Sequence, residues 1–160
     1  MQLNDILFKM IQTMNQPTFP KSELASLQRL SITDVSLGFY RFVASYDVVF
    51  HSEEDEKKWS IAVYAIAVLH TLHQSKSLGS CLAECDVSDI RFAKLLSSRE
   101  DTLFDEIESF IRFCRNKDTA INIIELIQLV FITDTTKAES LRRKLARDFY
   151  ATQYKNKNNK

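Results

Sequence analysis

Four residues of this chain have the types and spacing to hold a zinc ion. His70 and His73 lie three apart and Cys81 and Cys85 four apart, so the run can be written H-x-x-H…C-x-x-x-C. Imidazole nitrogen and thiolate sulfur are the donors that tetrahedral zinc takes. Each spacing is also common in ordinary helices, and His73 to Cys81 would have to fold back tightly. A buried cysteine is ordinarily a small core residue. Zinc is the weaker reading, and no metal or other cofactor is expected. Nucleophilic catalysis has less support still. There is no G-x-S-x-G and no H-E-x-x-H, the arrangements that expose a nucleophile or place two imidazoles on one helix face. Gly38 and Gly79 are the only glycines, too few for a glycine-rich phosphate cradle. Carboxylate pairs such as Asp101 with Asp105, or Asp105 with Glu108, read as a solvated helix face. The acidic run Glu53, Glu54, Asp55 and Glu56 reads as a loop entering a helix N-terminus, where carboxylates favour the dipole. Neighbours on one turn do not converge on a cation. No enzyme is expected.

Cations stand out instead. The stretch Leu141–Tyr150 reads L-R-R-K-L-A-R-D-F-Y. On a helix Leu141, Leu145 and Phe149 share an apolar stripe, and Arg142, Arg143, Lys144 and Arg147 fill the flanks and the outward face. The formal net charge is zero, but residues 141–160 carry seven Lys or Arg and one acid, so the body is as acidic as this end is basic. Further cations are Lys21, Arg29 and Arg41, then Arg91, Lys94, Arg99, Arg112, Arg115 and Lys117. Arg-rich helical faces bind phosphate backbones by charge and counterion release, without reading sequence. The competing reading is solvation or local pairing, for example Arg91 with Asp89 and Arg112 with Glu108.

The elements that must position these residues are helices. Gly and Pro number four in 160 residues, against about 12% in an average protein. A sandwich or barrel needs more turns than that. With 45% apolar residues the chain can bury a sizeable core. The odd number of cysteines suggests no disulfide framework, which points to a reducing cytoplasm. No signal peptide and no membrane span are read. Apolar periodicity predicts a helix over Met1–Gln16, ended by Pro17 and Pro20. Lys21–Leu30 is a short second helix with Ser22 as a cap. Val35–Ser45, capped by Thr33 or Asp34, is a third, in which Gly38 costs about 1 kcal/mol against Ala. Trp59–Leu72 is apolar nearly all round and is expected to be central. Leu78–Glu84 follows, then Asp89–Ser97 capped by Ser88, with Ile90, Ala93, Leu95 and Leu96 inward. A helix opens at Asp101 or Thr102 and runs to about Asn116. Asn122–Ile132 is another, and Thr135–Thr136 open the last, to about Tyr154. The expected architecture is all-α: eight or nine helices in two small packed bundles, residues 1–75 and 76–154, with a disordered basic tail at 155–160.

Three motifs in fixed order carry a resemblance. Phe39-Tyr40-Arg41 follows Leu27-Gln28-Arg29. Leu78-Gly79-x-x-Leu82-Ala83 leads to Ser88-x-x-Arg91-Phe92-x-x-Leu95-Leu96. Leu141-Arg142-Arg143-x-x-Ala146-Arg147-Asp148-Phe149-Tyr150 closes the series. Over about residues 20–150 the chain resembles the CasB family, the small subunit of the type I-E CRISPR surveillance complex Cascade. The resemblance implies two helical bundles and no catalytic activity. It implies two copies of the chain in the complex, against the large subunit and the backbone subunits. It also implies basic grooves along the displaced, single-stranded non-target DNA of the R-loop formed with the guide RNA. The residues offered for that role are Lys21, Arg29, Arg91, Lys94, Arg99, Arg112, Arg115, Arg142, Arg143, Lys144 and Arg147. The chain departs from the family pattern at Gln28, Ser97, Ile107-Glu108-Ser109 and Leu145, which thins the middle of the basic surface. The alternative is a helical subunit that docks an acidic protein partner without touching DNA.

Overall fold

The computed structural model describes residues 2–30 and 36–159. Among them the chain is all-α, with nine helices. These are α1 (Leu3–Asn15), α2 (Lys21–Leu27), α3 (Leu37–Ala44), α4 (Glu53–Leu69), α5 (Leu78–Glu84), α6 (Asp89–Ser97), α7 (Glu100–Lys117), α8 (Ile123–Phe131) and α9 (Thr135–Asn158), with one 3₁₀ turn at His70–Leu72. The chain divides after Thr71 into two units. No helix among the described residues is long and apolar enough to cross a membrane.

In the first unit α1, α2 and α3 pack on α4. Helix α1 buries Leu7, Met10, Ile11 and Met14, the i, i+3, i+4, i+7 stripe that its sequence predicts. From Trp59 to Leu69 every residue of α4 except Tyr64 is buried, so this helix is the axis of the unit. It starts earlier than expected. Ser52 Oγ accepts the Asp55 N–H at 3.0 Å, and Glu53 to Glu56 form the first turn rather than a loop, where their charge suits the dipole. Two amides satisfy carbonyls at its C-terminal end: Gln28 Nε2 donates to Ala67 O (3.0 Å) and Asn15 Nδ2 to His70 O (3.0 Å). The N-cap of α3 is Ser36, whose Oγ accepts the Phe39 N–H. Thr33 and Asp34, expected as caps there, lie outside the described residues. Pro20, not Ser22, is the N-cap residue of α2.

In the second unit α5 lies directly against α9. Gly79 makes this possible, because a Cβ there would sit 2.4 Å from the carbonyl oxygen of Leu145 and 2.9 Å from the Phe149 nitrogen. Helix α6 packs on α7, and α8 packs on α5 and α7. Two loops are stitched where His73 and Ile121 form a short parallel bridge. Ile121 N donates to Leu72 O (2.9 Å), and Gln74 N donates to Ile121 O (3.0 Å). Ser88 caps α6, its Oγ accepting the Arg91 N–H at 3.2 Å. That helix buries Phe92 and Leu95. Ile90 and Ala93, expected inward, are exposed. Two residues from Phe92 is about 200° round a helix, so Ile90 points the opposite way. Helix α7 starts at Glu100, a residue before the expected Asp101, without a side-chain cap. Helix α9 opens at Thr135, as expected, and Asp134 caps it, accepting the Lys137 N–H at 2.9 Å. The helix runs on through Asn158, past Tyr154, in place of the expected disordered tail. Lys155 and Lys157 stand in its last turn, and cations there favour the dipole.

Candidate nucleic-acid interface

Helix α9 is anchored by Leu145 and Phe149, both fully buried. The Phe149 ring stacks on Phe92 of α6, with centroids 3.9 Å apart and planes 8° from parallel. Farther along, Thr152 Oγ1 donates to Ser80 Oγ of α5 (2.9 Å), and Gln153 Nε2 donates to Asp89 Oδ1 of α6 (3.0 Å). The helix is thereby held to its unit from Leu145 to Gln153, which fixes which positions of α9 face outward.

Six of the eleven cations offered by the sequence are engaged within the fold. Arg91 donates from Nη2 to Ser109 Oγ (3.2 Å) and lies over the Phe113 ring at 4.5 Å, so it ties α6 to α7; the expected partner, Asp89, holds Gln153 instead. Lys94 Nζ lies 3.0 Å from Glu106, whose side chain is nearly buried. Arg99 donates to the carbonyls of Leu96 (2.8 Å) and Ser98 (2.9 Å), closing α6, and pairs with Glu139 at 3.1 Å. Arg112 pairs with Glu108 at 3.1 Å, one turn back, as its spacing predicts. Lys144 pairs at 2.6 Å with Glu125, whose other oxygen accepts the Leu78 N–H at 2.7 Å. Arg142 turns inward. Its side chain is 11% exposed, 3.6 Å from Glu139, and its Nε finds no hydrogen-bond partner among the described residues. Burial, and then the charge of Arg99, push this guanidinium below its ordinary pKa.

The other five are exposed. Lys21 and Arg29 belong to the first unit, and Arg29 donates from Nε to Ala25 O (3.1 Å). Arg115 lies on α7, and Arg143 and Arg147 on α9. Arg147 has a carboxylate at 3.9 Å in Asp148, with 72% of its own side chain exposed. At that distance and exposure an ion pair contributes little. The structure therefore gathers Arg143 and Arg147 on one outward face and leaves Arg142 and Lys144 beside it, tied to acids. Sequence reasoning missed two neighbours on that face. Tyr150 is 46% and Tyr154 68% exposed. The positions 143, 147, 150 and 154 follow the i, i+4, i+7, i+11 spacing of one helix stripe. That signal lay in the sequence, in the helix C-terminal to the Leu145–Phe149 anchor.

The zinc candidates are occupied by other work. His70 Nδ1 faces Ala67 O at 2.9 Å, and His73 Nδ1 accepts the Ile123 N–H at 3.3 Å. Cys81 accepts from Gln74 Nε2 at 3.1 Å. Cys85 donates to Leu82 O at 3.4 Å. A hydrogen bond from Cys114 lowers the Cys85 pKa; the same contact and burial push the Cys114 thiol up. Among the described residues no three His, Cys, Asp or Glu side chains gather into a metal-holding group.

Comparison with known proteins settles the family. The model of the CRISPR-associated protein Cse2 family matches residues 23–150, most of the chain. The chain belongs to the Cse2 family. The fold agrees with two solved structures. CasB from Thermus thermophilus is 15% identical, with a TM-score of 0.69 over 94% of this chain and 99% of that one. A chain in the crystal structure of E. coli Cascade bound to a PAM-containing double-stranded DNA target is 17% identical, with a TM-score of 0.66 over 92% of this chain and 96% of that one. No curated protein matches the chain. The Cse2 match runs from α2 to Tyr150 and so takes in the Phe39-Tyr40-Arg41, Leu78-Gly79 and Ala146-Arg147-Asp148-Phe149-Tyr150 motifs.

Proposed function

We propose that this Cse2-family chain is the small, non-catalytic subunit of a type I-E Cascade complex. In that role it holds nucleic-acid backbone, chiefly the displaced non-target strand of the R-loop. Its partners are the large subunit, the backbone subunits, a second copy of itself, and the guide RNA–DNA hybrid. The family match and the fold shared with a chain of E. coli Cascade support the place in the assembly. The outer face of α9 supports the contact with nucleic acid: Arg143 and Arg147 are exposed there, while Arg142 and Lys144 are drawn to Glu139 and Glu125. Exchange of a DNA duplex for an RNA–DNA hybrid is nearly balanced in free energy, so a few phosphate contacts on the displaced strand tip it. Lys21, Arg29 and Arg115 are the further candidates.

Two measurements test this reading. The chain should co-purify with a guide RNA and the other Cascade subunits, and failure to do so removes the assignment. Single-stranded DNA should bind with an affinity that falls steeply with salt. Each phosphate that a protein neutralises on a single strand adds about 0.7 to the log–log salt slope, so replacing both Arg143 and Arg147 by Gln should shallow it by about 1.4. Binding that ignores salt, or that the double substitution leaves unchanged, favours a subunit that docks an acidic protein instead.

A further inference from the structure

We infer that Tyr150 and Tyr154 form a base-stacking platform, so that the α9 face grips single-stranded nucleic acid by its bases as well as its phosphates. This rests on the proposed nucleic-acid role and goes beyond it, because charge alone calls for no aromatic ring. Both rings are exposed on the stripe that carries Arg143 and Arg147. Tyr150 is pre-positioned: its ring stands at 89° to Phe149 (centroids 5.1 Å) and 84° to Phe92 (6.0 Å), braced against their stacked pair. Tyr154 follows one turn later, about 6 Å along the axis at 1.5 Å per residue. The bonds of Thr152 to Ser80 and of Gln153 to Asp89 hold the helix within that turn. Lys157 continues the face; of the acids on α9, Asp148 lies on its flank, 3.9 Å from Arg147, and Glu139 pairs with Arg99 and Arg142. A surface of cations and flat rings, with only the small methyls of Ala146 and Ala151 among them, is what sequence-tolerant single-strand binding uses: phosphates meet charge and each base meets a ring. Protein interfaces also favour Arg and Tyr, but a protein partner would need acids for the arginines and an apolar core. This face offers two Tyr rings and two alanine methyls as apolar area, with no large aliphatic side chain.

The test compares oligothymidylate with an abasic oligonucleotide of the same length and charge, bound to the full chain at low ionic strength and followed by fluorescence anisotropy. Wild type should prefer oligothymidylate by at least about fivefold, the lower end of stacking on one ring at about 1–3 kcal/mol per base. Tyr154→Ala should lower that preference by at least about half, the Tyr150 ring remaining, and leave abasic binding unchanged. Tyr154→Phe should keep it, since the ring remains. The Tyr154 side chain is mostly in solvent, so the fold survives either change. Arg143→Gln with Arg147→Gln should weaken both ligands by the same factor. Equal binding of both oligonucleotides by wild type, or a Tyr154→Ala variant that keeps the preference, overturns the stacking inference and leaves the phosphate reading intact. Absence of binding to either oligonucleotide overturns both. Loss of co-assembly with the Cascade subunits on Tyr154→Ala, with no oligothymidylate preference in wild type, assigns the face to protein and overturns the inference.

Discussion

Replacing Gly79 by Ala should destabilise the second unit although it inserts a better helix former. On propensity alone Gly to Ala in a helix gains about 1 kcal/mol. At Gly79 the new methyl would stand 2.4 Å from the Leu145 carbonyl oxygen, where ordinary contact begins at 3.4 Å. The obstacle is backbone and cannot swing aside, so α5 and α9 must part by about 1 Å. A gap of that size forfeits a quarter to a half of the dispersion energy of the atom pairs it opens. Leu78 and Leu82 on one side and Leu145 and Phe149 on the other are all fully buried. If about half of their packing is across the interface, the loss is about 2–4 kcal/mol, in line with the cost of overpacked cores. Net of propensity, Gly79→Ala should cost about 1–3 kcal/mol. The internal control is Gly38→Ala, where among the described residues the added Cβ meets only Ser26 Oγ at 3.5 Å and Ser36 Oγ at 3.7 Å. That change should be neutral or stabilise by up to about 1 kcal/mol. Urea unfolding followed by far-ultraviolet circular dichroism reads both. A Gly79→Ala protein as stable as wild type, or two variants shifted the same way, would refute the close crossing as the reason for this glycine.

Other outcomes follow from the interior cations and the bridge. Arg91→Ala should lower stability by about 1–2 kcal/mol in urea unfolding, since the guanidinium bonds Ser109 and covers Phe113. It should leave the salt slope of DNA binding unaltered, and a slope change at unchanged stability would move Arg91 to the interface. Glu125→Ala should cost about 1–3 kcal/mol by orphaning the Leu78 N–H. Lys144→Ala should cost under about 1 kcal/mol, because that side chain is 43% exposed; equal costs would contradict the asymmetry. Burial lowers the His73 pKa, and its Nδ1 must stay unprotonated to accept the Ile123 N–H. Its contribution is therefore intact above the unfolded value of about 6.5 and is lost as pH falls through it toward the lower folded value. His73→Asn, which keeps an acceptor without titrating, should flatten the fall in stability between about pH 7 and pH 5; an undiminished slope would place the titration elsewhere.

What the sequence revealed depended on how local the physics was. The stripe of α1, the Ser88 cap, the Leu145–Phe149 anchor and the Arg112–Glu108 pair all follow from spacings within two turns, and all are present. The partners of Lys94, Lys144 and Arg99 are Glu106, Glu125 and Glu139, which only tertiary packing brings near, so these cations look free in the sequence. Arg142 is a different case. It lies three and seven residues before Leu145 and Phe149, on the flank of the buried stripe, and its inward turn was readable. Gly79 stands in a recognisable motif, but its reason is a backbone contact with residues far along the chain.

The close crossing of α5 and α9 also has a consequence during synthesis. Ser80 and Thr152 are 72 residues apart, so at roughly 5–20 residues per second α5 is made about 4–14 s before its partner. Throughout that interval Leu78, Leu82 and the bare backbone at Gly79 lack the helix that covers them in the finished protein. The second unit cannot close until the ribosome has released Phe149. Nascent chains halted between α8 and α9 should therefore carry an adhesive apolar surface, and chaperone occupancy on the translating ribosome should peak in that window and fall once α9 emerges.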